Sequence, residues 1–356
     1  MLAWARNEPV SPSRQVSVDP LDRSDPRRIG GISLHGRLGS GGMGRVFYGV
    51  TEDYEQVAVK VIREDLVSRA EVRARFARET DALRTVQGPQ VAALVDASGD
   101  DEERPWLAVE YVRGLSLKEF VETRGTLSGE NAATLGVLLA SGLKDIHAAG
   151  LLHRDLKPGN VLLGRDGPKV IDLGLVAFAD GPTDLTTTES TLGTPACMSP
   201  EQANTPKQVT TAADVYSLGA TLMFALAKHY PYDGKTVAGL FMNIVNPEVA
   251  PNLEGVPAEF EQLISAMLAH DPAVRPTVSQ TYDRLKELAT AGGITLPVAT
   301  RRLAVATYVE LETDPHEVAP LPRPRRRDLS EVVTPDSVVA RLADRLRGAY
   351  AANARF

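Results

Sequence analysis

The chain has 356 residues, 43% hydrophobic and 24% charged, with a formal net charge of −7, the proportions of an ordinary globular protein with length for two or three domains or one two-lobed enzyme. Its longest apolar-looking run, Leu218 to Ala227, is too short to cross a bilayer, the N-terminus has no secretory pattern, and a lone cysteine, Cys197, excludes an internal disulfide or a cysteine-based zinc cage. The expectations are a cytoplasmic chain without a transmembrane anchor and, because residues up to 300 are strongly acidic, no nucleic-acid partner.

Residues 1–29 are polar and proline-containing and read as a flexible N-terminal arm. From Ile32 the runs ISLHGRL, RVFYGV and QVAVKVI alternate as strands do, and 65–87 then switches to helical spacing, with Val72, Phe76, Leu83 and Val86 on one face. Glu79 falls on that same apolar stripe. Strands are expected again near Val91–Val95 and Trp106–Val112. Beyond Gly114 long helices take over, at 129–149, 211–228 and 257–269. A strand-rich lobe over 30–112 and a larger helical lobe over 113–290 predict a bilobal α+β fold. Residues 291–335, with LPRPRRR, read as a Pro/Arg-rich linker. Residues 336–356 read as an amphipathic helix with Val338, Val339, Leu342, Leu346 and Tyr350 on one face.

Between the first two strands lies Gly39-Ser-Gly41-Gly-Met-Gly44-Arg-Val46. Three glycines can simply permit tight turns, but a glycine flap between strands also lets backbone N–H groups approach phosphate oxygens. Lys60, in the apolar run VAVKVI, supplies a point charge, and a lysine so placed needs a partner. Glu79 is the natural one, with Glu64 and Glu71 as competing acids. Val46 and Ala58 are small enough to roof a flat ring.

His153-Arg154-Asp155-Leu156-Lys157-Pro158-Gly159-Asn160 follows a helix and precedes a strand-like run. Asp155 can accept a hydroxyl proton, Lys157 can neutralise a transferring phosphoryl group, and Asn160 can ligate a metal. Asp172, at the end of the apolar run VID, adds a second hard oxygen ligand of the kind Mg²⁺ accepts.

With these motifs in this order, residues 32 to 290 resemble the eukaryotic-type (Hanks-type) serine/threonine protein kinases of the soluble bacterial branch. The resemblance implies ATP and Mg²⁺ as cofactors, with Mn²⁺ as the alternative cation, and a protein or peptide substrate bearing a Ser or Thr acceptor. It implies a hinge at Glu110 and Val112 with Val109 as gatekeeper, and Leu162 within the nucleotide site. It implies a salt bridge from Glu201, in Met198-Ser199-Pro200-Glu201, to Arg275, an anchoring role for Asp214 under the catalytic loop, and a Thr194 hydroxyl near Asp155 and Lys157. Pairing of two copies through the small lobe is a further implication. Leu173 stands where the family usually has Phe, and is expected in an apolar slot against His153 and Leu83.

The stretch from Gly174 to Ser199 is rich in hydroxyls. Thr186, Thr187, Thr188, Ser190 and Thr191 are candidate phosphorylation sites, for which Arg154 is the expected anion partner. Two other readings stand beside an active, self-phosphorylating kinase. A nucleotide-binding pseudokinase scaffold is disfavoured because Lys60, Glu79, Asp155, Asn160 and Asp172 are all present; the other reading is a kinase acting on a biosynthetic precursor peptide. Lys157-Pro158 and the GTP…SPE segment argue against a small-molecule kinase, and Lys157 against a tyrosine kinase.

Overall fold

The computed structural model describes residues 18–41, 44–62, 70–99, 102, 104–173, 195–204 and 209–310, and within the helix Ala70–Leu83 the side chains of 76–78 and 80–83. The first part of the chain is a six-stranded antiparallel sheet in the order β1-β2-β3-β4-β6-β5. Its strands are β1 Arg28–Ile29, β2 Ile32–Gly41, β3 Gly44–Val50, β4 Gln56–Ile62, β5 Leu94–Ala97 and β6 Trp106–Glu110, with helix α1, Ala70–Leu83, inserted between β4 and β5.

Strand alternation gives this sheet two faces. On one, Ile32, Leu34, Phe47, Val57, Val59, Trp106 and Ala108 form a closed apolar core. On the other, register places Val46, Lys60 and Leu107 in one row and Tyr48, Ala58 and Val109 in the next. That second face looks across to the rest of the molecule, and Ile62, Phe76, Leu83 and Leu107 belong to the large core that continues into the helical part.

The helical part begins with α2, Leu117–Arg124, capped by the reciprocal Ser116–Glu119 box. Helices α3, Gly129–Ala148, and α5, Thr211–Ala227, form its centre, with the five-residue α4, Pro200–Asn204, between them in sequence. Helix α5 buries residues all round, from Ala213 to Leu226, as a central helix must. Around it stand α6 Val237–Val245, α7 Ala258–Met267 and α8 Val278–Ala289. A small hairpin, β7 Val161–Gly164 and β8 Gly167–Val170, lies between α3 and α4 in the chain. No helix among the described residues is long and apolar enough to cross a membrane.

Two expectations are corrected. Residues 18–29 are not a loose arm: Asp19 pairs with Arg37 along the outer edge of β2, and Leu21 and Ile29 pack on the small-lobe core. Nor is all of 291–335 a linker, because α9, Leu296–Thr307, buries Ala299 and Leu303 completely or nearly so. Arg301 and Arg302 are exposed on its outer side, and Pro297 sits in its first turn, where proline is tolerated. The expected helix at 336–354 lies outside the described residues.

Candidate active site

The site is built where the open face of the sheet meets the β7–β8 hairpin. A cavity there is lined by Lys60, Ile62, Leu83, Leu107, Val109, Asp172 and Leu173, among others. Lys60 donates to Asp172 Oδ1 at 2.9 Å, joining the two parts of the chain through side chains 16% and 36% exposed. The partner expected for Lys60 on helix α1, Glu79, has its side chain outside the described residues. Val46, Ala58 and Leu162 are half-buried apolar residues. Val46 and Ala58 share the sheet face of Lys60, while Leu162 lies on β7, paired with Lys169. Leu173 is 8% exposed and lines the same cavity as Leu83, so the leucine fills an apolar slot as expected.

Gly39 and Gly44 lie on the arms of the β2–β3 hairpin, Gly41 paired with Gly44 at its end. Gly44 is required by the fold, since at φ 152° a Cβ would stand 1.9 Å from the Val61 carbonyl oxygen. Gly39 and Gly41 are not so constrained: a Cβ on either would meet nothing within 4 Å among the described residues, and neither has a positive φ.

The catalytic-type loop is held from below by Asp214, in the first turn of α5. Its Oδ1 accepts the Arg154 N–H and its Oδ2 the His153 N–H, each at 2.9 Å, and Oδ2 also meets His147 Nε2 at 2.7 Å. Burial pushes this carboxyl up, but the bonds from His147 and the loop backbone outweigh it and hold it below the ordinary carboxylate value. His153 is fully buried, and burial pushes its imidazole down, so it sits neutral with Nδ1 accepting the Asp155 N–H at 3.3 Å. The tie to Asp214 holds Arg154 in a left-handed conformation, φ 62°, which turns the next residue, Asp155, back toward the site.

Asp155 Oδ2 gathers Lys157 Nζ at 2.8 Å and Asn160 Nδ2 at 3.0 Å, and Asn160 Nδ2 also reaches the Asp155 carbonyl at 2.8 Å. Asn160 thus spends its N–H groups on Asp155, leaving its amide oxygen as the group that can face a cation. The Ile171 N–H bonds the Asn160 carbonyl at 2.9 Å, so Asn160 and Asp172 are set beside each other by the backbone. Among the described residues no three His, Cys, Asp or Glu side chains cluster to hold a metal alone. An amide oxygen and one carboxylate suit a hard cation that completes its shell with water and phosphate.

At the end of β6, where the hinge is expected, Glu110 donates its N–H to the Ala93 carbonyl at 2.9 Å, and its carboxylate takes Lys169 of β8 at 2.6 and 2.8 Å. Val112 follows just past the last rung, Tyr111 N–H to Gln56. Downstream, Arg275 is buried and meets Glu201 in a two-pronged pair at 2.7 and 2.8 Å, its guanidinium over the Tyr216 ring. Gln202 ties this segment to the His153–Asn160 loop, donating to the Arg154 carbonyl at 2.9 Å. Cys197 is buried, its thiol pushed up to about 12 by burial, and its carbonyl accepts the Ser217 hydroxyl. Thr194 and the candidate phosphorylation sites Thr186, Thr187, Thr188, Ser190 and Thr191 lie outside the described residues.

Sequence reasoning did not anticipate His147, Lys169 or Gln202. Each acts through a partner 48 to 67 residues away, and no local pattern marks such a residue.

Comparison with known proteins places these features. A family model described as protein kinase domain matches residues 32–284. The serine/threonine-protein kinase AfsK of Streptomyces griseus is 39% identical over 94% of this chain and 42% of that protein. AfsK of Streptomyces coelicolor is 44% identical over 75% of this chain and 33% of its own length. The chain therefore spans less than half the length of these curated relatives. Among solved structures, the PknI kinase domain of Mycobacterium tuberculosis aligns with a TM-score of 0.58 and 26% identity, over 73% of this chain and 96% of that one.

Proposed function

The chain belongs to the protein kinase domain family, and from that premise we propose that it transfers the γ-phosphoryl of ATP, with Mg²⁺ or alternatively Mn²⁺, to Ser or Thr hydroxyls of a protein or peptide in the cytoplasm. Protein kinases use ATP and a divalent metal and act on protein substrates, and the relatives are named serine/threonine kinases. The observation that carries the proposal is the Lys60–Asp172 pair at the cavity, joined through the Ile171–Asn160 backbone bond to the Asp155–Lys157–Asn160 cluster.

In this reading residues 30–112 grip the nucleotide, and 113–290, extended by α9, carry the acceptor side. Among the described residues nothing demands glycine at 39 or 41, whereas close approach of phosphates to the backbone does. Gly39, Gly41 and Gly44 then offer backbone N–H groups to the phosphates. Lys60 neutralises phosphate charge, and Val46, Ala58 and Leu162 enclose the adenine beside the hinge backbone of Glu110 and Val112. Asn160 and Asp172 would hold the cation, which when bound neutralises charge developing on the phosphate oxygens.

Asp155 orients the acceptor hydroxyl and takes its proton as the hydroxyl oxygen bonds to phosphorus and ADP leaves. Lys157, kept on the same carboxylate, steadies the transferring group. Glu79 positions Lys60, and Thr194 joins Asp155 and Lys157 at the acceptor. Phosphorylation among Thr186, Thr187, Thr188, Ser190 and Thr191 acts through Arg154. Replacing Asp172 by asparagine is expected to lower the transfer rate on the order of 10³-fold or more. A variant that transfers at near wild-type rate would remove Asp172 from the metal role.

A further inference from the structure

The family match begins at residue 32, yet the chain ahead of it is built into the hairpin that carries Gly39, Gly41 and Gly44. Residues 18–29 run along the outer edge of β2. Asp19 exchanges backbone hydrogen bonds with Arg37 at 2.9 and 2.7 Å, and the Leu34 N–H donates to the Arg27 carbonyl at 3.0 Å. The approach is close enough to require glycine at 36, where a Cβ would stand 2.1 Å from Val18 Cγ1 and 2.8 Å from the Asp19 carbonyl oxygen.

At the centre of this strap is Asp25, whose side chain is wholly buried. Its Oδ2 accepts Arg37 Nε at 2.6 Å and the Asp22 N–H at 2.8 Å, and its Oδ1 accepts Arg45 Nη1 at 2.9 Å. Arg37 stands on β2 ahead of Gly39. Arg45 stands on β3 directly after Gly44, its backbone paired with Ser40. One buried carboxylate therefore fastens both arms of the glycine hairpin at its outer end.

We infer that Asp25 is a positioning residue for nucleotide binding, bracing the glycine hairpin through Arg37 and Arg45 so that its backbone meets the phosphates preorganised. The inference rests on the kinase reading of that hairpin. The brace is charged at neutral pH: the Arg37 guanidinium lowers the carboxyl, against burial that would raise it. A glycine-rich hairpin is otherwise a mobile element, and each phosphate contact it makes is weakened by whatever ordering the ligand itself must impose.

The test is equilibrium binding of ATP and of adenosine, which lacks the phosphates, to the full chain with Asp25→Asn, Arg45→Gln and both together, alongside thermal unfolding. Asp25→Asn is expected to weaken ATP roughly five- to tenfold, the part of a charge-assisted bond that reaches the hairpin, and to leave adenosine unchanged. The ATP KM rises in step, and kcat at saturating ATP moves less than about twofold. Arg45→Gln gives the same phosphate-selective loss, and the double variant loses little more than either single one.

Wild-type affinity of Asp25→Asn for both ATP and adenosine, with only a lower melting temperature, would overturn the inference and leave Asp25 a structural residue. Additive losses would overturn it too, by making Arg45 an independent phosphate ligand. Should Asp25→Asn fail to fold, Arg45→Gln decides, since it leaves Asp25 paired with Arg37; wild-type affinity for both ligands then refutes the brace. A wild-type chain that does not bind ATP more tightly than adenosine would refute the kinase reading of the hairpin instead.

Discussion

Replacing Asp214 by asparagine keeps the side-chain shape and removes the charge, so its effect can be worked out bond by bond. The carboxylate accepts the Arg154 N–H on Oδ1 and the His153 N–H on Oδ2, and meets His147 Nε2 as well. An amide has one acceptor oxygen, and whichever way it is turned its NH₂ faces one of the two backbone N–H donors. An orphaned buried donor costs about 1–3 kcal/mol, and the surviving bonds lose the extra strength that charge gave them, so the total is roughly 3 kcal/mol. At about 2–4 °C per kcal/mol for a domain of this size class, the melting temperature should fall on the order of 10 °C. The loss lands on the N–H groups of His153 and Arg154, just ahead of Asp155, and Arg154 is the residue whose φ of 62° these bonds keep. A shift of about 1 Å at a reacting group costs on the order of 10²-fold in rate. The assay is kcat on a Ser/Thr peptide at saturating ATP, with nucleotide affinity and thermal unfolding measured alongside. The carboxyl lies below its ordinary value of 3.8 when folded, so its stabilisation is fully present above that pH and is lost as pH falls through the folded value. The gap in melting temperature between wild type and variant should therefore close only in strong acid. A variant with kcat within about threefold of wild type would refute the reasoning.

Three further outcomes follow from buried groups. Arg275→Met strands the Glu201 carboxylate and the carbonyls of Ala212, Ala269 and His270, so chemical denaturation should show a loss of about 3–5 kcal/mol. Leu303→Ala, beyond the family-matched region, should cost roughly 2–4 kcal/mol in the same experiment because Leu303 is fully buried; a loss under about 0.5 kcal/mol would detach α9 from the catalytic body. Cys197, with its thiol at about 12, should react with a thiol reagent at neutral to mildly alkaline pH at least about 10³-fold more slowly in the native protein than in denaturant. Rapid native labelling would contradict its burial.

The parts of this protein that were legible in its sequence are those whose chemistry is local. The glycines of the hairpin, the octamer from His153 to Asn160 and the run ending in Asp172 each carry their spacing in a few adjacent residues. The strands of the small lobe and the helices α3 and α5 carry theirs in alternation or in long apolar periodicity. What escaped was held by distant partners. Residues 18–29 look like an arm because their order comes from Arg37 and Arg45, 12 and 20 residues beyond Asp25. Helix α9 hid in a basic, proline-bearing stretch because it needs only a narrow stripe, Ala299, Leu303 and Thr307, to dock. The Ser116–Glu119 capping box was open to a local reading, but the apolar face of α2 is only three buried residues and gives little periodicity.

The most direct test of the central claim is phosphoryl transfer from γ-labelled ATP to a Ser/Thr peptide library, with the full wild-type chain beside Asp155→Asn and with Mg²⁺ present or chelated. The account expects label on Ser and Thr from the wild type alone, and only with the cation, while both proteins bind ATP. Equal transfer by Asp155→Asn, or ATP binding by the wild type with no transfer to any hydroxyl, would contradict it.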